Sequence, residues 1–437
     1  MADAPDYVTW FRNSAPYINA HRKRTFVLMF PGEAVREEGF GHLVHDIALL
    51  HSLGVRLVLV HGARSQIEQR LARRGLEDRV HQGLRVTDAE AMECVIEAAG
   101  ALRIELEALL SMGLPNSPMH GAHIRVVSGN LVVARPVGII DGVDLGYTGE
   151  VRRVDAEGLR QQLDAGNTVL LSNVACSPTG EAFNLAYEEI AAQVARAIAA
   201  DKLIALTELP GLLSADGQLI RECTHHALQR RLDQADVPQR GLLQALLHAV
   251  EGGIERVHLI SYRDNGSLLR ELFTRDGVGT LISPEPYERI RTATIEDVGG
   301  ILGLIQPLEA AGVLVRRSRD LLEKEIGHFT IMERDGMVVA CAALYPYPES
   351  GSGEIACVVT HPDYRRSDRG ERLLQALMKQ ARSLGLQCVF VLTTRTAHWF
   401  LEQGFVPAEL SALPPGKQQL YNYQRGSRVF TRSLNEG

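Results

Sequence analysis

The feature that most constrains the fold of this chain is a regular alternation of short apolar segments with stretches long enough for amphipathic helices, which extends over residues 25–283. Short apolar segments bounded by turn residues predict buried strands, and the stretches between them predict crossover helices. Parallel strands covered by helices on both faces accommodate such an alternation, so we predict a doubly wound α/β domain with antiparallel additions. The predicted strands are Thr25–Phe30, Val55–Val60, Thr168–Ser172, Lys202–Leu206 and Arg256–Ile260.

Local signals add further elements to this domain. Apolar residues on one face predict an N-terminal helix over Asp6–Ala20. The capping-box pattern Thr87-Asp-Ala-Glu90 predicts the start of a helix that extends to Met112, and Leu185–Ala200 has the pattern of another helix. The alternation over His123–Arg135, which is interrupted by a Ser-Gly-Asn turn, predicts a β-hairpin.

Ser283-Pro-Glu-Pro286 is the best domain boundary, because two prolines interrupt both helices and sheets. The elements predicted beyond it are helix Ile295–Ala311, strands Phe329–Glu333, Val338–Tyr345 and Glu354–Thr360, helix Glu371–Ser383 and strand Cys388–Thr393. An antiparallel meander followed by a helix and a strand predicts a smaller α+β domain. We therefore divide the chain into an N-terminal helix (1–22), a larger domain (23–283), a linker (284–288) and a smaller domain (289–437).

Composition excludes several classes of function. The 437 residues carry a net charge of −7 and no basic run, so we expect no nucleic-acid binding driven by charge. No apolar stretch is long enough to span a membrane, and the opening residues lack the apolar core of a secretory signal. The six cysteines form no CxxC pair and no metal-binding spacing, so we expect reduced thiols, no bound metal and a cytoplasmic location.

The most informative motif is an arginine-rich loop between a strand and a helix. Main-chain N–H groups at a helix N-terminus, together with the helix dipole, form a binding site for a pyrophosphate. Arg365, Arg366 and Arg369 supply counter-charge here, and Gly370 allows close approach of the backbone. The alternative interpretation is a capped surface loop. The predicted binding residues of the loop are Arg365, Arg366, Ser367, Asp368, Arg369, Gly370 and Glu371.

This loop is similar to the coenzyme A loop of the GNAT acetyltransferase superfamily, which reads Arg/Gln-x-x-Gly-x-Gly/Ala. Arg365 and Gly370 match that pattern, whereas Asp368 stands at the middle glycine. The likeness extends over nearly the whole chain, which resembles the bacterial N-acetylglutamate synthase family, an amino-acid-kinase-like domain fused to a GNAT domain. The segments that carry it include VLVHGARSQI, GLRVTDAE, GYTGEV, LFTRDGVGT, HPDYRRSDRGE, VLTTRTAHWF and LYNYQRGSR.

The resemblance implies an activity and its partners. Such enzymes transfer the acetyl group of acetyl-CoA to the α-amine of L-glutamate, without a metal, in the first step of arginine biosynthesis, and L-arginine regulates them by feedback. The resemblance also implies a homo-oligomer, a hexamer, in which the N-terminal helix links subunits into rings. The alternative for that helix is packing on its own domain.

The larger domain lacks the groups that amino-acid kinases use. Their Lys-x-Gly-Gly is replaced by Met29-Phe30-Pro31-Gly32, and their His-Gly-Gly-Gly is replaced by His61-Gly62-Ala63-Arg64. Their Asn-x-Asp is replaced by Leu185-Ala186-Tyr187, and no lysine occurs in Gly241–Val250, where a second lysine is expected. Because phosphoryl transfer depends on positioning and charge neutralisation, we predict a kinase fold without kinase chemistry.

The segment LRELFTRDGVGT is similar to the arginine-binding segment of arginine-inhibited relatives. The resemblance implies that Glu271 pairs with the guanidinium of the effector, while Gly277, Gly279 and Thr280 present backbone groups. It also implies that Tyr17, on the N-terminal helix, closes the site. Two alternatives stay open, because the glycines could simply shape a turn and Tyr17 could belong to the core.

Acetyl transfer to an amine requires a polarised thioester carbonyl and a deprotonated amine. In GNAT domains the strand before the phosphate loop splays, and a main-chain N–H polarises the thioester. Glu354, the only acid in residues 350–361, resembles the general base of the family, and a solvated strand-end carboxylate is the alternative. The residues that match the main-chain donors are Cys357, Val358 and Val359, and we expect Cys357 to be a buried thiol and not a nucleophile.

Many GNAT enzymes protonate the leaving thiolate with a tyrosine, but Phe400 stands at that position in this chain. His398 is a candidate substitute, with a surface histidine as the alternative. Because glutamate is a dicarboxylate, its pocket should contain cations within bidentate reach. The resemblance implies that arginines bind the carboxylates and that a serine donates its hydroxyl. Because surface arginines are common, we assign no role to Arg317 and Arg428. The predicted acceptor-binding residues are Leu314, Arg316, Arg425 and Ser427.

Two other functions are alternatives. A bifunctional acetylglutamate kinase–synthase is opposed by the missing lysines. An arginine-sensing acetyltransferase of protein lysines is opposed by the paired arginines, which suit a small dicarboxylate.

Overall fold

The structure, a computed structural model, describes residues 4–113, 117–234, 239–274, 276–285, 288–334, 336–364, 368–419, 421, 423 and 426–434. The chain divides into two compact units, Met1–Pro286 and Tyr287–Gly437, and each is built on its own large sheet. None of the helices in these described ranges combines the length and apolarity needed to cross a membrane.

The larger unit combines a central sheet with helices on both faces. Its strands are β1 (Thr25–Phe30), β2 (Arg56–His61), β3 (Val80–His81), β4 (Leu84–Arg85), β5 (Val126–Val127), β6 (Val132–Pro136), β7 (Ile139–Ile140), β8 (Val143–Asp144), β9 (Gly149–Val154), β10 (Thr168–Leu171), β11 (Val174–Cys176), β12 (Ala182–Asn184), β13 (Lys202–Thr207), β14 (Glu222–Thr224), β15 (Val257–Ser261) and β16 (Thr280–Ser283). Its helices are α1 (Ala4–His21), α2 (Phe40–Ser52), α3 (Arg64–Arg74), α4 (Ala89–Leu110), α5 (Ala156–Asp164), α6 (Tyr187–Ile198), α7 (His225–Leu232), α8 (Arg240–Glu251), α9 (Ser267–Phe273) and a 3-10 turn at Ala34–Arg36.

The central sheet has the order β14-β16-β15-β13-β1-β2-β10-β5, and the neighbours from β15 to β5 are parallel. Alternate residues of β1 enter two different cores, with Val27 and Met29 on the side of α6 and α8. Phe26, Leu28 and Phe30 lie on the side of α2, α4 and α9. Because both faces are covered, β1 carries an apolar run and not an alternating pattern, which made the strand recognisable in the sequence.

The predicted doubly wound α/β fold is confirmed, and each of its five predicted strands is present within one residue at either end. The predicted hairpin over His123–Arg135 is wrong, because β5 joins the central sheet beside β10 whereas β6 joins a second sheet of order β12-β11-β6-β9. The capping residue of α4 is Asp88, which accepts from the main-chain N–H of Ala91 at 2.9 Å. The Thr87 hydroxyl is buried instead and accepts a hydrogen bond from Thr148.

The smaller unit is an α+β domain, as predicted. Its strands are β17 (Arg289–Thr292), β18 (Phe329–Arg334), β19 (Met337–Tyr347), β20 (Ser352–Thr360), β21 (Cys388–Thr393), β22 (Val406–Ala408) and β23 (Arg428–Ser433). Its helices are α10 (Val298–Ala310), α11 (Arg319–Glu325), α12 (Arg369–Ser383), α13 (Ala397–Glu402), α14 (Pro415–Gln419) and 3-10 turns at Ile295–Asp297, Ile326–His328, Pro348–Ser350, Pro362–Tyr364 and Leu410–Ala412. The sheet order is β17-β18-β19-β20-β21-β23-β22.

The neighbours in this second large sheet are antiparallel except for β20 and β21. These two strands are parallel and pair over a short stretch, Ser352–Glu354 with Cys388–Phe390. Since β20 continues to Thr360 and β21 continues to Thr393, the strands part beyond the paired residues. Helix α12 packs on one face of the sheet with the predicted apolar residues, Leu373, Leu374, Leu377, Met378 and Ala381, all buried.

His21, the last residue of α1, is buried between α9 and β1. Its Nε2 lies 2.8 Å from the carbonyl oxygen of Leu272, and its ring makes edge contacts with Phe26 and Phe273. Burial, reinforced by the charge of Lys202, lowers the pKa of the imidazole from 6.5 to about 4. The neutral ring therefore donates its Nε2–H to the carbonyl, and protonation opposes the folded state.

We expect the larger unit to lose stability as the pH falls, because the unfolded chain protonates His21 near pH 6.5 while the folded chain resists protonation to about pH 4. The contribution of neutral His21 to the free energy of unfolding is fully present above about pH 6.5 and is lost as the pH falls toward about 4. Between about pH 7 and about pH 5 the loss is about 2 kcal/mol. Urea unfolding followed by circular dichroism at both pH values measures the loss. His21→Asn keeps a donor but does not titrate, so its pH-dependent loss should be smaller by that amount. An equal loss in the variant would contradict the role given to His21.

Candidate active site and effector site

Glu354 lies on β20 at the residue where the pairing with β21 ends, and 7% of the residue is exposed. The ammonium nitrogen of Lys417 is 2.6 Å from Glu354 Oε2. The hydroxyl of Tyr347 also donates a hydrogen bond to this carboxylate, and burial together with the Glu354 charge raises the pKa of Tyr347. The alternative of a solvated strand-end carboxylate therefore does not describe Glu354, which is enclosed and paired.

The main chain of β20 is distorted three residues after Glu354. The register between β19 and β20 shifts there, because Ala343 opposes Ala356 whereas Cys341 opposes Val359. Cys357 adopts a φ of +52°, which is unusual for a residue other than glycine. This bulge places Cys357 and Val358 opposite a single residue of β19. It lies in the part of β20 that no longer pairs with β21.

The thiol of Cys357 is buried within the core on the α10 side of the sheet. Burial raises the pKa of this thiol to about 11, despite the nearby Arg317 guanidinium. A thiol in that state is a poor nucleophile near neutral pH. The geometry therefore favours a main-chain role for this residue and supports direct attack by the amine.

The predicted pyrophosphate loop is described only in part, because Arg365, Arg366 and Ser367 lie outside the described residues. Helix α12 begins at Arg369, next to an exposed Asp368 whose side chain makes no cap hydrogen bond, and Glu371 is exposed in its first turn. Gly370 lies against Trp399, since a Cβ there would be 3.3 Å from the indole ring. The N-terminal turn of α12 thus presents main-chain N–H groups beside a closely packed glycine.

Arg369 requires a correction. Its guanidinium donates to Glu288 through Nε at 2.8 Å and stacks over the Tyr364 ring at 5.0 Å. Arg334 and Arg372 also contact Glu288, at 3.3 Å and 3.1 Å, and the Glu288 side chain is 4% exposed. The charge of Arg369, which the sequence predicted for a pyrophosphate, is therefore directed to a buried carboxylate. No local pattern near residue 288 indicated this cluster.

The residues predicted to bind the acceptor differ in their exposure, and one of them is not described. Arg425 lies outside the described residues, Leu314 is half-buried and Arg316 is exposed. Arg317, to which the sequence assigned no role, directs its half-buried guanidinium to the Tyr345 hydroxyl and the Cys357 thiol. The Tyr345 hydroxyl donates to Glu325 Oε2 at 2.8 Å.

Ser427 is buried in the short segment before β23, and its carbonyl accepts a hydrogen bond of 2.6 Å from the Tyr421 hydroxyl. Arg428 stacks over the Phe430 ring at 5.2 Å. His398 requires a second correction, because its side chain is 89% exposed on α13 and its Nδ1 lies 3.2 Å from Glu402. That position corresponds to the surface alternative and does not support the predicted role of general acid.

The predicted effector residues meet at α9 and β16. Glu271 is buried, and its Oε2 accepts from the main-chain N–H groups of Val278 and Gly279 at 2.6 Å and 2.9 Å. Its Oε1 lies 2.7 Å from His258 Nδ1. Burial alone would raise the pKa of Glu271, but the His258 contact and the two amides hold it down at about 2. Gly277 has a φ of +59°, and a Cβ there would overlap Glu271 Oε2, so glycine is required at this turn.

The other predicted effector residues have structural contacts of their own. The Thr280 hydroxyl is buried, donating to Ile220 and accepting from the Leu212 N–H at 2.8 Å. Tyr17 is half-buried on the core that contains α9. The sequence did not indicate Lys202, whose buried ammonium lies 3.4 Å from His258 Nε2 and so joins the Glu271 cluster.

In the larger unit, side chains fill the space beside the segments that match the phosphate-binding motifs of amino-acid kinases. The Tyr187 ring lies against Gly62, where a Cβ would be 2.7 Å from the ring. The Gln66 amide donates to the Gly32 carbonyl at 2.7 Å. Burial raises the pKa of Tyr187 well above its usual value, so the ring stays neutral. These contacts support the prediction that the domain performs no phosphoryl transfer.

Comparison with known proteins places both units in described families. The amino acid kinase family model matches residues 24–261, and the acetyltransferase (GNAT) family model matches residues 305–405. The chain is 55% identical to an amino-acid acetyltransferase of Azotobacter vinelandii, over 98% of this chain and 100% of the relative. It is 54% identical to an amino-acid acetyltransferase of Pseudomonas putida over the same shares.

Solved structures give the same assignment. N-acetylglutamate synthase from Neisseria gonorrhoeae complexed with coenzyme A and L-arginine matches with a TM-score of 0.90 and 38% identity, over 98% of this chain and 100% of that chain. The Neisseria enzyme complexed with coenzyme A and N-acetyl-glutamate matches with a TM-score of 0.64 at the same identity and coverage.

We expect Glu288→Gln to destabilise the smaller unit by about 3 kcal/mol, because it leaves buried guanidinium groups without their carboxylate. Differential scanning calorimetry of the full chain measures the change. Glu323→Gln is a matched control, since it breaks an exposed pair with Arg319 and should cost less than about 0.5 kcal/mol. Equal shifts in the two variants would show that the Glu288 cluster contributes no more than a surface pair.

Proposed function

The chain belongs to the amino-acid acetyltransferase family, and we propose that it transfers the acetyl group of acetyl-CoA to the α-amine of L-glutamate, which gives N-acetyl-L-glutamate and CoA. The observation that carries the proposal is the position of Glu354, a paired and enclosed carboxylate at the point where β20 and β21 part. The bulged main chain of Cys357 follows directly on the same strand.

In the proposed mechanism, Glu354 accepts a proton from the glutamate ammonium, through a water molecule. The freed amine attacks the thioester carbonyl, and the main-chain N–H groups of residues 357–359 stabilise the negative charge that develops on its oxygen. The attacking nitrogen carries a positive charge in this adduct. Collapse of the adduct breaks the C–S bond, and the departing CoA thiolate takes up the proton that this nitrogen loses, which gives the amide and CoA. No acetyl-enzyme forms, which agrees with the raised pKa of the Cys357 thiol.

The acetyl-CoA site in this proposal is the loop of residues 365–370 together with the first turn of α12. Main-chain N–H groups of this turn bind the pyrophosphate, and Gly370 allows the close approach. The Neisseria enzyme, which carries coenzyme A in both complexes, supports the choice of co-substrate. For the acceptor we propose that Arg316 and Arg425 bind the carboxylates, with Leu314 and Ser427 beside them.

We propose that the larger domain is an effector domain that binds L-arginine at Glu271, Gly277, Gly279 and Thr280, with Tyr17 closing the site. The arginine complex of the Neisseria enzyme supports this assignment. The buried Lys202 adds a cation that suits the carboxylate of an amino acid, and Glu271 supplies an anion for the guanidinium. The tyrosine-filled phosphate site supports a regulatory role in place of catalysis.

The proposal extends to assembly and biological role. We propose a cytoplasmic homo-oligomer, a hexamer, that catalyses the first step of arginine biosynthesis under feedback by arginine. Trp10 and Phe11 are 47% and 54% exposed on α1, which supports the use of this helix in subunit contacts. We also propose the domain division 1–22, 23–283, 284–288 and 289–437.

A coupled assay of CoA release tests the function, with L-glutamate as acceptor. We expect Glu354→Gln to lower kcat by about 10²–10⁴, because the amide cannot accept the ammonium proton. Glu349→Gln, an exposed acid just before β20, is the control and should keep its activity. A loss below about threefold in Glu354→Gln would remove this residue from the role of general base.

We expect Glu271→Ala to relieve inhibition of glutamate acetylation by L-arginine, since the anion that pairs with the effector guanidinium is removed. The rate at millimolar arginine, divided by the rate without arginine, measures the effect. Glu251→Ala removes an exposed acid at the end of α8 and should keep the inhibition of the unmodified chain. Unchanged inhibition in Glu271→Ala would place the effector elsewhere.

A further inference from the structure

Lys417 belongs to α14, a short helix that is separate from the loop of residues 365–370 and from strands β20 and β21. Its ammonium nitrogen nevertheless lies 2.6 Å from Glu354 Oε2, and the two side chains are 23% and 9% exposed. The pair therefore joins the proposed general base to a helix that is distant in the sequence and is not a strand of the sheet. This lysine belongs to none of the sequence motifs described above, and it has no role in the proposed mechanism.

The physical effect of the contact follows from the burial of Glu354. A carboxylate with so little exposure is costly as an anion unless a cation or hydrogen-bond donors compensate its charge. Lys417 supplies the cation, and the Tyr347 hydroxyl supplies a further donor. Together they hold the carboxylate in one orientation, since one oxygen is bound by a charged donor at short distance.

Helix α14 also leads into the segment that carries the proposed acceptor residues. Gln418 Nε2 donates to the Leu413 carbonyl at 2.7 Å, which ties the helix to the turn before it. After the helix, the Tyr421 hydroxyl donates to the carbonyl of Ser427, one of the proposed acceptor residues, at 2.6 Å. Lys417 and Ser427 thus belong to one continuous stretch of the chain.

We propose that Lys417 is a positioning residue for acetyl transfer, which holds Glu354 as an oriented, charge-compensated base and links it to the acceptor segment. The inference rests on the proposed role of Glu354 as general base. In this role Lys417 exchanges no proton with the substrate. It acts through the carboxylate and contacts neither the thioester nor the amine.

A double-mutant cycle tests the proposal in the full chain. We expect Lys417→Met to lower kcat by about 10- to 100-fold in the unmodified chain and by less than about twofold in the Glu354→Gln background, because the lysine acts only through that carboxylate. The KM for acetyl-CoA should change by less than about twofold. Lys417→Arg restores the cation and should recover kcat to within about threefold of the unmodified chain.

The controls separate this role from a contribution to folding. Lys379→Met removes an exposed lysine of α12 and should leave kcat unchanged. Lys417→Gln keeps a hydrogen-bond donor without charge, and its kcat should fall like that of Lys417→Met while its thermal midpoint stays nearer that of the unmodified chain. Kinetic constants for each variant are measured below its midpoint.

Several outcomes would overturn the proposal. A loss of equal size in both backgrounds would show that Lys417 acts independently of Glu354. A lowered thermal midpoint with kcat within about twofold would leave Lys417 a purely structural partner. If kcat falls strongly in Glu354→Gln but not in Lys417→Met, the positioning role alone is overturned. If kcat is unchanged in Glu354→Gln, the role of Glu354 as base and the positioning role of Lys417 are overturned together.

Discussion

The chemistry of the smaller unit depends on the separation of β20 from β21 beyond Glu354 and Phe390. In a continuous sheet each main-chain N–H between the strands would be bound by the neighbouring strand. Where the strands part, a ligand carbonyl can take the place of the missing neighbour, and the bulge at Cys357 turns the main chain at that point. Ile355 and Phe390 stay buried on either side of the gap, so the opening does not disrupt the core.

The positive charge of the same unit is organised by carboxylates. Glu288 gathers three guanidinium groups at the start of α12, and Glu354 holds the ammonium of Lys417. A buried acid that binds several cations fixes their positions, and cations held in this way are less available to an anionic ligand. Arg369 of the loop is one of these cations, so its charge is directed to Glu288 and not to the proposed pyrophosphate site.

Local patterns in the sequence were sufficient for much of the fold. The bounds of β1 and of Cys388–Thr393 were predicted without error, because a strand buried on both faces leaves an apolar run between turn residues. The hairpin over His123–Arg135 failed because alternation identifies strands but not the sheet that each strand joins. Asp88 and not Thr87 caps α4, because a buried hydrogen-bond network uses the threonine hydroxyl.

The candidate site also combines residues that local patterns indicate with residues that they do not. Glu354 and Glu271 stand in short motifs and could be found from sequence, whereas their partners could not. Lys417 and His258 reach these carboxylates from other elements, and such contacts have no signature in local spacing. His398 shows the converse error, since a suitable residue type near the expected position is directed to solvent.

The contacts of Glu271 limit how an effector can bind it. A carboxylate offers about four acceptor positions, and His258 and the two amides of Val278 and Gly279 already use three of them. A guanidinium that binds in bidentate fashion needs two positions, so it must displace one of these partners. The amides belong to the turn before β16, whereas His258 contacts Lys202 through its other nitrogen. Displacement of His258 would therefore also break its contact with the buried ammonium. In the proposed effector site, His258 would thus link the group that binds the guanidinium to the cation proposed for the carboxylate.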